Sequence, residues 1–222
     1  MTEPDSIRRH SVPLDAELIK DPEERAKAES KNGLRQYDRT IQHIEDFIKP
    51  PPRPFRLRLS RIFDLHRIAL NGISAYAGNY RPSHIRIEHS KHEPPPAHLV
   101  AELVEEMCDY VNDNFSSRSA VHLAAYVMLR LNWIHPFTDG NGRTSRAVSY
   151  MVLCVRLGER LPGTNTIPEQ IEKNRVPYFD ALEAADTASR NGRIDVGKME
   201  ELVEGMLAKQ LLSVIEDRKS VV

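Results

Sequence analysis

Cysteine is nearly missing from this chain of 222 residues, which holds only two. Cys108 and Cys154 stand apart in apolar helical stretches without CxxC spacing. Neither a disulfide framework nor a zinc site is indicated, and buried free thiols are expected. An excess of one charge is also lacking. Lysine and arginine total 31 against 32 acidic residues, a formal net charge of −1. A general nucleic-acid or membrane-surface binder needs a strong basic excess, so neither class is indicated. Long hydrophobic runs are absent, and no stretch reaches the length that spans a bilayer. The first residues, Met-Thr-Glu-Pro-Asp-Ser-Ile-Arg-Arg, show no apolar core of a signal peptide. The expected compartment is the cytoplasm, of the cell itself or of a host that receives the protein. Signals for β-structure are few as well.

What is present is an ordinary globular composition, 40% hydrophobic and 28% charged, long enough for one buried core with a small appendage. Asp21-Pro-Glu-Glu24 reads as a helix start, with an N-cap carboxylate and proline at the first helical position. This helix is predicted to stop or bend at Asn32-Gly33. A second one then runs over Leu34–Ile48, with Tyr37, Ile41, Ile44 and Ile48 on one apolar stripe. Lys49-Pro-Pro-Pro-Arg-Pro54 ends it, because stacked prolines cannot continue a helix. Residues 1–54 are therefore predicted to be an N-terminal helical arm with a proline-rich connector, and 55–222 the main body. Arg53 to Arg61 is locally basic and reads as a solvated helix face.

In the body, Leu57–Ile73 has helical spacing. Ile85-Arg-Ile-Glu88 alternates apolar and polar side chains, which predicts a short strand or hairpin. His89, Lys91 and His92 read as exposed loop residues. Pro96–Asn114 is an amphipathic helix, and Ser116-Ser117 is predicted to cap the next one, Arg118–Trp133. That helix is apolar on almost every side, which marks it as central. Helices are further predicted over Thr144–Val155, Pro168–Asn174, Pro177–Arg190 and Val196–Asp217, the last with Leu202, Met206, Leu207, Leu211 and Ile215 inward. The fold class is all-α with one short β-hairpin.

Between the central helix and the next lies His135-Pro-Phe-Thr-Asp-Gly-Asn-Gly-Arg-Thr-Ser-Arg146. A helix N-terminus attracts anions, and Gly140 and Gly142 let a phosphate approach the backbone closely. Arg143 and Arg146, three residues apart, share a helix face, and guanidinium forks suit phosphate oxygens. Asp139 amid this positive charge implies a divalent cation, held by one carboxylate with phosphate oxygens and water, as Mg²⁺ commonly is. His135 is the loop's one group able to take a proton near neutrality. The set points to nucleotide phosphates, Mg²⁺ and a general base for an incoming hydroxyl.

The nine defined residues of His-Pro-Phe-x-Asp-Gly-Asn-Gly-Arg-x-x-Arg resemble the signature of the Fic family at every position. The resemblance extends over about Leu57 to Leu212. It implies a Fic-type helical bundle with a hairpin flap and an adenylyltransferase that moves AMP from Mg-ATP to a Ser, Thr or Tyr hydroxyl of a target protein. His135 would then be the catalytic base and Asp139 the metal ligand. Asn141, with the backbone around Gly140 and Gly142, would hold the α-phosphate, and Arg143 and Arg146 the outer phosphates. Phe137 would anchor the loop, and the flap near Ile85–His89 would register the target peptide. Tyr178 and Phe179 resemble the nucleoside-pocket segment, whereas Asp186 stands where some relatives carry an amide.

Relatives are often restrained by a Ser/Thr-x-x-x-Glu-Gly/Asn helix. The nearest match, Glu200-Glu-Leu-Val-Glu204-Gly205, lacks the hydroxyl residue. An antitoxin-like inhibitor chain and homo-oligomerisation stay open as partners. Competing readings are transfer of UMP, GMP or phosphocholine on the same fold, and a catalytically idle nucleotide-binding interaction module.

Overall fold

The computed structural model describes residues 17–88 and 90–219, with side chains through 214. Residues 1–16, His89 and the Ile215 side chain, all named in the sequence reading, lie outside the described residues. Eight α-helices occur among those described: α1 Pro22–Ile48, α2 Leu59–Ala69, α3 Val100–Asp113, α4 Ala120–Ile134, α5 Asn141–Leu157, α6 Ile167–Lys173, α7 Val176–Arg190 and α8 Gly197–Lys219. A 3₁₀ turn, Ala97–Leu99, leads into α3. The protein is all-α, and no described helix is long and apolar enough to cross a membrane.

The core is built around α4, whose apolar perimeter packs chiefly on α5, then on α3, α7 and α8. Leu123, Ala124, Ala125, Val127 and Met128 are all buried, as a helix without a polar face requires. On α5, Val148, Met151 and Val152 meet them. The buried Ser149 hydroxyl donates to the Ala124 carbonyl at 2.8 Å, satisfying a polar group that would otherwise cost burial energy. Helix α1 lies across α5 and α2, and its Ile41, Ile44 and Phe47 join the same core.

Several boundaries depart from the sequence reading. Asp21 does cap α1, accepting the Glu24 N–H at 2.8 Å, but the helix runs unbroken through Asn32-Gly33. Asn32 is buried, and its amide donates to the Asn71 carbonyl at 2.8 Å, just beyond the end of α2. Tertiary capping of this kind outweighs the roughly 0.5–1 kcal/mol that a glycine costs mid-helix. Ser119, rather than Ser116-Ser117, caps α4, accepting the His122 N–H at 3.0 Å. Helix α5 begins at Asn141, inside the motif, three residues before the predicted start.

The inward face of α8 is also shifted. Met199, Val203 and Met206 are buried, while Leu211 is exposed. The fully buried Gln210 takes the place of an apolar residue there. It donates to Tyr150 Oη at 2.9 Å and accepts the Ile167 N–H at 3.1 Å, tying α8 to α5 and α6.

The flap keeps its alternation without forming a regular ladder among the described residues. Ile85 and Ile87 are buried and Arg86 and Glu88 exposed, with a turn closed by the Ser90 N–H on the Ile87 carbonyl. The prolines at 94–96 have no N–H to extend a pairing.

Candidate active site

Helix α4 ends at His135 in a left-handed conformation, φ 51°, which turns the chain sharply out of the core. The next residues, to Gly140 at φ 75°, form a short loop that re-enters as α5. Gly140 is required twice. A side chain would be strained at that φ, and a Cβ would lie 2.3 Å from Leu70 Cδ2. The carboxamide of Asn141 pins the loop, accepting the Phe137 N–H at 2.9 Å and donating to the Phe137 carbonyl at 2.8 Å. Phe137 is buried as expected and stacks on His66, ring centroids 3.7 Å apart.

Two residues that the sequence reading passed over hold the loop from outside. His66 donates from Nε2 to the Asp139 carbonyl at 2.9 Å and accepts the Gly78 N–H on Nδ1 at 2.9 Å. Burial pushes its pKa down to about 4, so it stays neutral in this double role. Arg81 is buried in a shell of carbonyls: Nε donates to His135 O at 2.9 Å, Nη1 to Ser83 O at 2.8 Å, and Nη2 to Pro95 O. The position of His66 on the inward stripe of α2, with Ile62, Leu65 and Ala69, was a usable signal. Arg81 stands in irregular chain and offered none.

The imidazole of His135 is buried, and Nδ1 lies 3.2 Å from the Asn132 carbonyl. A carbonyl only accepts, so Nδ1 carries the hydrogen and Nε2 the lone pair. Burial, ahead of the nearby His92 and Arg81, holds the pKa down at about 3. Burial thus favours the neutral form of the ring.

Asp139 and Arg143 belong to a ring of charges that reaches α1. Arg25 Nη2 donates to Asp139 Oδ2 at 2.8 Å, and Arg143 Nη2 to the same oxygen at 3.2 Å. Glu29 Oε1 accepts from Arg25 Nε at 3.1 Å and faces Arg143 Nη1 at 3.6 Å. Arg25 and Glu29 were not foreseen, since nothing in the periodicity of α1 marks them. Asp139 offers one carboxylate, and no cluster of three metal-ligating side chains exists among the described residues. That donor chemistry fits Mg²⁺ only where phosphate oxygens and water complete the shell.

Arg146 turns the other way. Its guanidinium is mostly buried and donates to Glu172 Oε2 at 2.9 Å. Desolvation lowers its pKa, and Tyr178 and Glu172 oppose that. A Cβ on Gly142 would sit 3.3 Å from Arg146 Nη1, so the missing side chain makes room for the guanidinium. Tyr178 is buried, its hydroxyl accepting from Asn132 Nδ2 at 2.7 Å. His135, Gly142, Arg146, Tyr178, Phe179 and Asp186 line one small cavity of about 70 Å³. Asp139 and Arg143 lie on the α1 side of the loop instead.

His92 is not an exposed loop residue. Its Nε2 donates to the Trp133 carbonyl at 2.7 Å, and Nδ1 lies 3.6 Å from Asp186 Oδ1, where flap and α7 meet beside the cavity. A buried carbonyl and a carboxylate together hold the ring inward. In the segment nearest to the inhibitory pattern, Glu204 is exposed on α8, and Glu200 bonds His122.

Comparison with known proteins finds the same fold and a family match that spans the loop. The family model described as "Fic/DOC family" matches residues 56–153. The protein adenylyltransferase Fic of Drosophila willistoni is 33% identical over 99 residues, 44% of this chain and 20% of that protein. A probable protein adenylyltransferase of Aquifex aeolicus is 28% identical over 133 residues, 56% of this chain and 38% of that protein. The chain thus matches about a fifth of the fly protein's length. Among solved structures, a Fic family protein from Desulfovibrio desulfuricans G20 superposes with TM-score 0.65 at 19% identity, covering 90% of this chain and 56% of that one. C. elegans Fic-1 does so with TM-score 0.65 at 20% identity, covering 84% and 51%. The BepC effector of Bartonella tribocorum with bound AMPPNP gives TM-score 0.57 at 16% identity, covering 85% and 88%. The residues matched by that family model, 56–153, contain the entire His135–Arg146 motif and the helices α2, α3 and α4 that present it.

Proposed function

We propose that this chain is a protein adenylyltransferase that uses Mg-ATP as AMP donor, with residues 55–222 as the catalytic body and 1–54 as an N-terminal arm and connector. The observation that carries the reading is the fixed tautomer of His135. Nδ1 is committed to the Asn132 carbonyl, so the lone pair on Nε2 belongs to a ring lining the same cavity as Gly142 and Arg146. A hydroxyl oxygen of a target protein would attack the α-phosphorus of ATP while His135 Nε2 takes its proton. The bond between the α-phosphorus and the bridging oxygen breaks, and pyrophosphate leaves.

Charge on the departing phosphates is offset by permanent cations. Arg146 and the first turn of α5 would hold them, with Arg143 closing the outer side. Asn141 keeps the loop shaped for the α-phosphate through its pair with Phe137. Asp139 would hold Mg²⁺, which supplies charge neutralisation to the phosphates when bound. Tyr178 and Phe179 would border the nucleoside, and the alternating segment at Ile85–His89 would line up the target peptide. The relatives named protein adenylyltransferase and the BepC structure with AMPPNP support the choice of an adenine nucleotide. The cytoplasm, of the cell or of a host, is the compartment that supplies ATP and targets together. An antitoxin-like inhibitor chain and a homo-oligomer are partners consistent with this role.

The test is incubation of the purified chain with lysate and α-labelled ATP, UTP, GTP and CTP in parallel. Label from ATP alone, lost in His135→Ala, is the expected result. Label retained by His135→Ala overturns the base assignment. Label from another nucleotide moves the reaction to that nucleotide, and no label from any would leave a binding module.

A further inference from the structure

Away from the motif, α1, the connector at 49–58 and α2 enclose an open groove of about 770 Å³. It is lined by Arg39, Arg53, Arg56, Arg58, Arg61 and Arg67, with Asp46 and Asp64 as the carboxylates among them. His43, also in the lining, is kept neutral by burial and by the neighbouring arginines. Six arginines against two aspartates leave four net positive charges in the groove, whereas the whole chain carries −1. All other residues together therefore carry −5.

The floor of this groove is built rather than incidental. Asp64 is shared by Arg39 Nε at 2.6 Å, Arg67 Nη2 at 2.6 Å and His43 Nε2 at 3.1 Å. His43 Nε2 therefore donates, leaving Nδ1 to accept from Arg61 Nη1. The Arg61 guanidinium lies over the Phe47 ring, 4.5 Å from its centroid. One arginine is thus held in place before any ligand arrives, which lowers the ordering cost of binding. At the rim, Arg53, Arg56 and Arg58 are exposed, and their side chains make no ion pair or hydrogen bond among the described residues.

We propose that this groove binds a compact, multiply phosphorylated small molecule. Guanidinium forks match phosphate oxygens, and the volume falls in the range of small-ligand sites. A long polyanion is disfavoured, because the positive field ends at the groove and the rest of the chain is net negative. This site is separate from the motif and independent of the transferase reading.

Inositol hexakisphosphate serves as the probe, titrated calorimetrically into the full chain. Binding should weaken about tenfold or more in Arg53→Ala/Arg56→Ala/Arg58→Ala, the loss of charge-assisted bonds. The single variant Arg56→Glu should weaken it too, and both should melt at the wild-type temperature because these side chains are exposed. Arg143→Ala/Arg146→Ala should leave the affinity within about twofold. Unchanged affinity in the rim variants, or loss only in the motif variant, overturns the proposal. Tighter binding of a polyglutamate peptide or a single-stranded oligonucleotide than of the probe also overturns it.

Discussion

Arg25, in the first turns of α1, donates to the outer oxygen of Asp139, 114 residues further along the chain, at 2.8 Å. The carboxylate that would serve Mg²⁺ is therefore already paired with a cation of the protein itself. Glu29 closes the ring by facing Arg143 at 3.6 Å. A divalent ion must compete with this guanidinium for Asp139 Oδ2. With ATP present to complete the shell, Arg25→Ala should tighten Mn²⁺ binding severalfold, read by the fall in free-ion resonance signal beyond that caused by ATP alone, and Asp139→Asn should remove that excess. Since a partly exposed pair is worth about 1 kcal/mol at most, a change beyond roughly fivefold is not expected. Equal Mn²⁺ affinity in wild type and Arg25→Ala would show that the pair does not guard the carboxylate.

The two glycines of the motif should respond differently to alanine. At Gly140 the new Cβ meets both a positive φ and Leu70, so stability should drop by about 2 kcal/mol in urea unfolding. At Gly142 the nearest atom is Arg146 Nη1, 3.3 Å away. The arginine must give way there while the fold does not. Gly142→Ala should unfold close to wild type yet bind ATP more weakly.

Acid should destabilise the protein well above the carboxylate range. His66 and His135 hold folded pKa values of about 4 and about 3. Both are depressed from an unfolded value near 6.5, so below pH 6.5 the unfolded chain binds protons that the folded chain refuses. The full stability contribution is present above that pH and is lost as pH falls through the folded values of about 4 and about 3. Each group contributes up to about 1.4 kcal/mol per pH unit, so the drop from pH 6.5 to 5 should be roughly 3 kcal/mol. Urea titrations at pH 7.0, 6.0 and 5.0 would measure it. A flat profile would mean that these imidazoles take protons without unfolding.

The helices and the motif were legible because their signals are local. Apolar spacing marks α3, α4, α5 and α7, and nine motif residues fall within one loop. Where the reading missed, a distant partner decided. Asn32-Gly33 looks like a break until Asn71, a chain neighbour of α2, takes the Asn32 amide. Gln210 looks like a surface residue until Tyr150 and Ile167 meet it in the core. Arg25, Arg81 and His92 join the site through contacts spanning 41 to 114 residues. No period in one sequence encodes such contacts.

Glu172 is the test of how Arg146 is held before a phosphate arrives. Its Oε2 accepts from Arg146 Nη2 at 2.9 Å, and its Oε1 takes Arg175. Arg146 is mostly buried while Glu172 is half exposed, so the acidic partner can swing into water and the arginine cannot. An incoming phosphate would take over the guanidinium from Glu172, and the affinity seen is reduced by whatever that pair is worth. Glu172→Gln removes the charge and keeps the shape. ATP should then bind about two- to fivefold more tightly by calorimetry, in keeping with a half-exposed pair worth less than about 1 kcal/mol. AMP, which lacks the outer phosphates, should bind as it does to wild type. A gain of equal size for AMP would place Arg146 on the α-phosphate instead, and a loss for ATP would make Glu172 a support that orients the arginine for its ligand.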